Sequence, residues 1–253
     1  MRRFLLSVAR IAVAVYVGLA AMLFFFQRDI IYYPQPREYR TGITLVTLQN
    51  GPEKILVSSH PHDGEDALIY FGGNAEDVSQ NMPDFLDTFP DSAIYLLHYR
   101  GYGGSTGHPT EKGIVADALL LFDQVHAQHR NITVIGRSLG TGVAVQIANR
   151  RPIARLVLVT PYDGLKDIGA AEYPFLPVGL LLRDKFESWR FAPQITAPTL
   201  ILAAGSDEVI PHSSTERLRT RFKTGVVHYV VIPSAGHNSI SDAPNYMALL
   251  KSG

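Results

Sequence analysis

"VIGRSLGTG", residues Val134 to Gly142, interrupts an apolar run with a serine held between two glycines. Glycine is costly inside regular structure, so two of them flanking one hydroxyl imply a backbone shape that other residues adopt only under strain. On one side "ITVIG" (Ile132 to Gly136) reads as a β-strand, and on the other "LGTGVAVQIANR" (Leu139 to Arg150) reads as a helix. Ser138 therefore occupies a sharp strand-to-helix turn. This is the G-x-S-x-G elbow, in which Gly136 and Gly140 permit close strand–helix approach and the serine hydroxyl is projected outward.

A serine hydroxyl is a weak nucleophile until a positioned base takes its proton, and that base needs a group to orient it. His237, in "VVIPSAGHNS", follows the last β-rich run in a loop of small residues. Asp207, in "LILAAGSDEVIP", follows an earlier one, with Glu208 beside it as an alternative acid. The chain order Ser138, Asp207, His237 suits acyl transfer on a parallel sheet. Asp163 in "TPYDG" follows another strand and is a further candidate acid. Taken singly, each has a plainer reading: a loop serine, an aspartate capping the next helix, an ordinary Gly-His turn. Acyl transfer also requires oxyanion donors. The backbone N–H of Leu139 is one candidate, and the loop "YFGGNAED" supplies that of Asn74, where helix capping is a compatible role.

Outward from the elbow, the chain alternates β-rich and amphipathic runs. Expected strands are "ITLVTL", "KILVSS", "ALIYF", "AIYLLHY", "ITVIG", "ARLVLVT", "TLILAAG" and "VHYVVIP", with helices after the third, fourth, fifth, seventh and eighth. The first two lack an intervening helix and are expected to pair as an antiparallel hairpin. The fold class is α/β: a mostly parallel eight-stranded sheet with helices on both faces. Residues 161 to 197 form an insertion after strand 6, too long for an ordinary connection. Its Tyr173, Phe175 and Leu180 are candidates to line an acyl pocket, with plain packing on the core as the alternative.

Lys and Arg number 23 and Asp and Glu 23, and no long basic run occurs, so nucleic acid is not an expected partner. The absence of cysteine removes disulfides, Cys-based zinc sites and thiol nucleophiles. "HPHDGED" (His60 to Asp66) reads as an exposed hairpin turn rather than a metal site, and no metal or cofactor is expected.

The first 36 residues differ from the rest. Ile11 to Phe26 carries no charge, and a helix from Phe4 to Phe26 would be about 35 Å long, enough to cross a bilayer. The run ends in Leu-Phe-Phe-Phe rather than the small residues of a cleavage site, which favours an uncleaved anchor over a signal peptide. A buried core helix is the remaining alternative. Arg2, Arg3 and Arg10 precede the run and favour an extracytoplasmic catalytic domain, a bias weakened by Arg28, Arg37 and Arg40 after it. The expected organisation is a single-pass membrane anchor and linker (1–36) followed by one catalytic domain (37–253).

With these residues in hand, the chain resembles the α/β-hydrolase superfamily, and within it the branch of membrane-anchored serine hydrolases that includes protein depalmitoylases and bacterial relatives. "YRGYGGSTGHPTEKGIVADA" (Tyr99 to Ala118) is similar to that branch's loop and helix after the fourth strand. "YPFLPVGLLLRDKFES" (Tyr173 to Ser188) is similar to its insertion, and "FFFQRDIIYYP" (Phe24 to Pro34) to its anchor end. Two positions depart: Gly72-Gly73-Asn74 stands for the usual His-Gly-Asn, and Ala204 for a glycine. The resemblance implies a small-molecule or lipid-like acyl substrate, an ester or thioester, cleaved through an acyl-enzyme. A serine peptidase and a silent binding protein on the same scaffold are the rival expectations.

Overall fold

A computed structural model describes residues 1–38 and 42–252. Arg40, one of the basic residues after the apolar run, lies outside the described residues.

Eight strands form one sheet: β1 (Thr44–Asn50), β2 (Glu53–His60), β3 (Asp66–Phe71), β4 (Ala93–Leu97), β5 (Asn131–Arg137), β6 (Arg155–Val159), β7 (Thr199–Ala204) and β8 (Val227–Ile232). Their spatial order is β1-β2-β4-β3-β5-β6-β7-β8. β1 and β2 pair antiparallel, as does β2 with β4, and the pairs from β4 through β8 are parallel. The sheet is therefore mixed and mostly parallel, as its residue pattern implies.

Alternate side chains of one strand enter two different cores. In β3, Ile69 and Phe71 join one apolar cluster while Leu68 and Tyr70 join the other. A strand buried on both faces reads as a continuous apolar run, which is why "ALIYF" shows no polar alternation. Helices α3 (Glu111–His126) and α4 (Leu139–Arg150) cover the first face, and α2 (Met82–Thr88) and α9 (Tyr246–Ser252) the second. In α3 the Thr110 hydroxyl caps the N-terminus by accepting the Gly113 N–H at 2.9 Å, and Ile114, Ala118, Leu121, Phe122 and Val125 repeat at helical spacing toward the sheet. Between β6 and β7 the insertion holds three short helices, α5 (Leu165–Glu172), α6 (Val178–Leu181) and α7 (Ser188–Phe191). Helix α8 (His212–Arg219) follows β7.

The N-terminal helix α1 spans Arg2–Ile31 and is long and apolar enough to cross a membrane. Its apolar side chains point away from the protein: Phe4, Ile11, Val13 and Phe25 are all at least 63% exposed. A core helix would bury such residues, so this stretch of α1 is not a core helix of the domain. Its last two turns are different. Gln27 is buried; its side chain donates to the Leu181 carbonyl at 3.0 Å and accepts the Arg183 N–H at 2.6 Å. Arg28 pairs with Asp184 at 2.9 Å, and Tyr32 is buried against the first core.

Sheet order reverses around β3, whose neighbours are β4 and β5. In open parallel sheets ligands bind outside the carboxyl ends of the strands at such a switch point. The segments after β3, β5, β7 and β8 carry Asn74, Ser138, Asp207 and His237 to that edge.

Candidate active site

Ser138 joins β5 to α4 at φ 49° and ψ −118°. That backbone region is sparsely populated by residues with a Cβ and is held only when its surroundings over-determine it. The glycines on either side explain how. A Cβ on Gly136 would lie 2.5 Å from the Gly140 carbonyl oxygen, and one on Gly140 would collide with the Phe71 carbonyl in β3. Without side chains there, α4 starts close against two strand ends.

The strained turn aims the Ser138 hydroxyl at His237, whose Nε2 lies 2.8 Å from Oγ. His237 Nδ1 lies 3.0 Å from both carboxylate oxygens of Asp207. The imidazole and the carboxylate are each 5% exposed. Asp207 Oδ1 also accepts the backbone N–H groups of Val209 (3.0 Å) and Ile210 (2.7 Å), which fix the carboxylate on its loop. Burial pushes the Asp207 carboxyl up, but the hydrogen bond to His237 and those from the two amides outweigh it, so its pKa lies below the ordinary carboxylate value. Asp207 therefore remains an acceptor at neutral pH.

The two alternative acids are engaged elsewhere. Glu208 accepts the backbone N–H of His237 at 3.0 Å and braces the loop rather than the ring. Asp163 accepts from Ser214 Oγ at 2.6 Å and from Arg217, tying the insertion to α8.

The loop after β3 is held by groups that its own sequence does not name. Tyr99 Oη donates to the Gly72 carbonyl at 2.8 Å; Tyr102 Oη and the Tyr33 N–H donate to the Asn74 carbonyl at 2.6 and 3.0 Å. Glu76 accepts from the Gly73 N–H (2.7 Å), from Tyr70 and Asn81, and from Arg137, the residue before Ser138. The Asn74 carbonyl is taken by Tyr102 and Tyr33, and the N–H groups of Asn74 and Leu139 have no acceptor among the described residues; Leu139 opens α4, where an N–H has no intrahelical partner. Gly72, where the resemblance leads one to expect histidine, has no room for it: a Cβ would meet Val78 Cγ1 at 2.5 Å and the Glu76 carboxyl at 3.1 Å. The signals for Glu76 and the tyrosines were an acid three residues beyond Gly73 and the paired tyrosines of "YRGYGG".

A cavity of about 940 Å³ borders Ser138, Leu139, Asn74 and His237 and is lined mainly by apolar side chains. Tyr173 lines it, together with Leu165, Ile168, Val178 and Leu181 of the insertion. Phe175 and Leu180 do not; they are 87% and 86% exposed. In the short helix α6 the residues at i and i+3, Val178 and Leu181, turn inward, which leaves Leu180 on the outer side. His60 and His62 lie outside this region, and the His62 ring accepts the Gly64 N–H at 3.0 Å to close its turn.

No protein-family model matches the chain. An uncharacterized protein of Mycobacterium tuberculosis strain H37Rv is 32% identical over 250 residues, covering 92% of this chain and 88% of that one. The human alpha/beta hydrolase domain-containing protein 17B is 30% identical over 195 residues, covering 73% of this chain and 64% of its own. The chain belongs to the α/β-hydrolase superfamily. Among solved structures, the Pyrococcus furiosus esterase Pf2001 superposes with a TM-score of 0.72 at 17% identity, covering 87% of this chain and 97% of that one. A thioesterase domain from the curacin biosynthetic pathway superposes at 0.61 and 16% identity, covering 83% and 98%. Those two likenesses concern the fold. The relatives' names support a hydrolase.

Proposed function

We propose that the protein is a membrane-anchored serine hydrolase that cleaves an ester or thioester through an acyl-enzyme. Ser138 Oγ attacks the acyl carbonyl carbon while His237 Nε2 takes its proton, and the carbonyl oxygen becomes an oxyanion facing the N–H groups of Leu139 and Asn74. Collapse expels the alcohol or thiol, which receives that proton from His237. Water then attacks the acyl-Ser138 ester, giving its proton to His237, and the carboxylic acid leaves as Ser138 Oγ is reprotonated. Asp207 holds the imidazole in the tautomer with Nδ1 protonated, which leaves Nε2 free to accept.

The observation that carries this reading is His237 bridging Ser138 Oγ and the Asp207 carboxylate, with hydrogen bonds of 2.8 and 3.0 Å. The apolar lining of the adjoining cavity supports a hydrophobic acyl group over a charged one. Residues 1–36 act in this scheme as a single-pass anchor and linker, and residues 37–253 carry the chemistry. Arg2, Arg3 and Arg10 before the apolar run support an extracytoplasmic catalytic domain. A panel of ester, thioester and peptide substrates, run on the purified protein and its Ser138→Ala variant, tests the reading. Ester or thioester turnover that the variant lacks supports it; turnover of peptides alone makes the protein a peptidase, and turnover retained in the variant removes Ser138 from its role.

A further inference from the structure

The cavity beside Ser138 has a wall that is not part of the insertion. Leu23, Gln27, Ile30 and Ile31 of α1 line it. Their spacing, i, i+4, i+7 and i+8, places them on one helical face. Phe25 of the same turns is 72% exposed on the opposite side, while Met22 and Phe26, 62% and 55% exposed, flank the wall. One stretch of helix thus faces apolar surroundings outward and the nucleophile's cavity inward. Its position is fixed by Gln27, whose side chain spans the Leu181 carbonyl and the Arg183 N–H, and by the pairing of Arg28 with Asp184.

The wall also has a direction. The Ile31 carbonyl accepts the side-chain amide of Asn74 at 3.1 Å, so this end of α1 abuts the proposed oxyanion loop. Leu23 lies eight residues back toward the uncharged part of the helix, about 12 Å at ~1.5 Å per residue. An acyl group with its carbonyl at Ser138 and its tail along this wall points the tail toward the bilayer. That is the orientation in which a membrane carries an acyl chain, with the polar end at the interface.

Resting on the serine-hydrolase reading, we propose that the last turns of the membrane helix are the chain-length-determining wall of the acyl pocket, Leu23 and Ile30 meeting the chain and Gln27 holding the wall in place. Membrane attachment and acyl selectivity are then one device. The α1 helix is a specificity element as well as a tether, and removing it opens the pocket along one side.

The test uses the full-length protein in detergent micelles and a p-nitrophenyl ester series from acetate to palmitate. For Leu23→Trp, which fills the wall, the ratio of kcat/KM on palmitate to that on acetate falls at least about tenfold relative to the unmodified protein. Taking the ratio cancels any inactive fraction. Val13→Trp, on the exposed part of α1, leaves the ratio unchanged. An unchanged ratio in Leu23→Trp overturns the proposal; if that variant does not fold, Leu23→Phe carries the same test with the same two outcomes. Absence of Ser138-dependent turnover in the unmodified protein is instead a failure of the hydrolase reading. The wall is then tested by fluorescence titration with anthroyloxy-stearate: weaker binding to Leu23→Trp supports it, and equal binding overturns it.

Discussion

Replacing Asp207 with asparagine changes one atom and tests which proton the imidazole carries. Asp207 Oδ1 accepts the N–H groups of Val209 and Ile210 as well as facing His237 Nδ1. An asparagine in its place keeps its oxygen on those two amides, because turning the NH2 toward them sets donor against donor. The NH2 group then takes the place of Oδ2, 3.0 Å from Nδ1, and favours Nδ1 as an acceptor with the ring proton on Nε2. A protonated neutral Nε2 lacks the lone pair that accepts the Ser138 proton, although Ser138 Oγ still lies 2.8 Å away. The corresponding exchange in a serine protease lowers kcat by about 10⁴, which is about 5 kcal/mol of barrier. Glu208→Gln retains an oxygen for the His237 N–H and is expected to stay within about threefold of the unmodified protein. The assay is kcat/KM on a short-chain p-nitrophenyl ester, with circular dichroism to verify folding. An Asp207→Asn enzyme within tenfold of the unmodified one, or a Glu208→Gln enzyme below it, refutes this reasoning.

Other consequences are equally direct. Tyr102→Phe removes a hydrogen bond of about 1 kcal/mol to the Asn74 carbonyl, so kcat is expected to fall roughly fivefold with little change in KM; an unchanged kcat removes Tyr102 from the positioning of that loop. Gly140→Ala places a Cβ against the Phe71 carbonyl, and a loss of at least about 3 kcal/mol in urea denaturation is expected. His98 is buried against Ser58, and burial lowers its pKa from 6.5 to about 4. The unfolded chain then takes up this proton first, so stability is full above pH 6.5 and declines toward pH 4, by about 3 kcal/mol in total. His98→Gln is expected to flatten thermal midpoints across that window; an unchanged slope contradicts the assignment.

The strands were legible because β3, β6 and β7 are buried on both faces and read as apolar runs ending at glycine or small polar residues. Ser138, Asp207 and His237 were legible for a related reason. Each follows a strand at the sheet's carboxyl edge, where order along the chain restricts position in space. What a side chain does inside a short irregular segment was not. Phe175 and Leu180 look like pocket residues by type, yet a single helical turn at α6 admits several facings, and tertiary packing turned Val178 and Leu181 inward. Contacts across long separations were also hidden. Gln27 reads as the first polar residue after an anchor, whereas its partners Leu181 and Arg183 lie more than 150 residues away. The four bonds of Glu76 likewise join the loop after β3 to Arg137 in the elbow, a convergence that neither motif announces alone.

Activation of Ser138 as a nucleophile by His237 is tested by a fluorophosphonate probe, with the labelled residue located by peptide mass spectrometry. One probe per chain on Ser138 is expected, with no label in Ser138→Ala and strongly slowed labelling in His237→Ala. A folded protein that stays unlabelled, or that carries the probe on another residue, contradicts it.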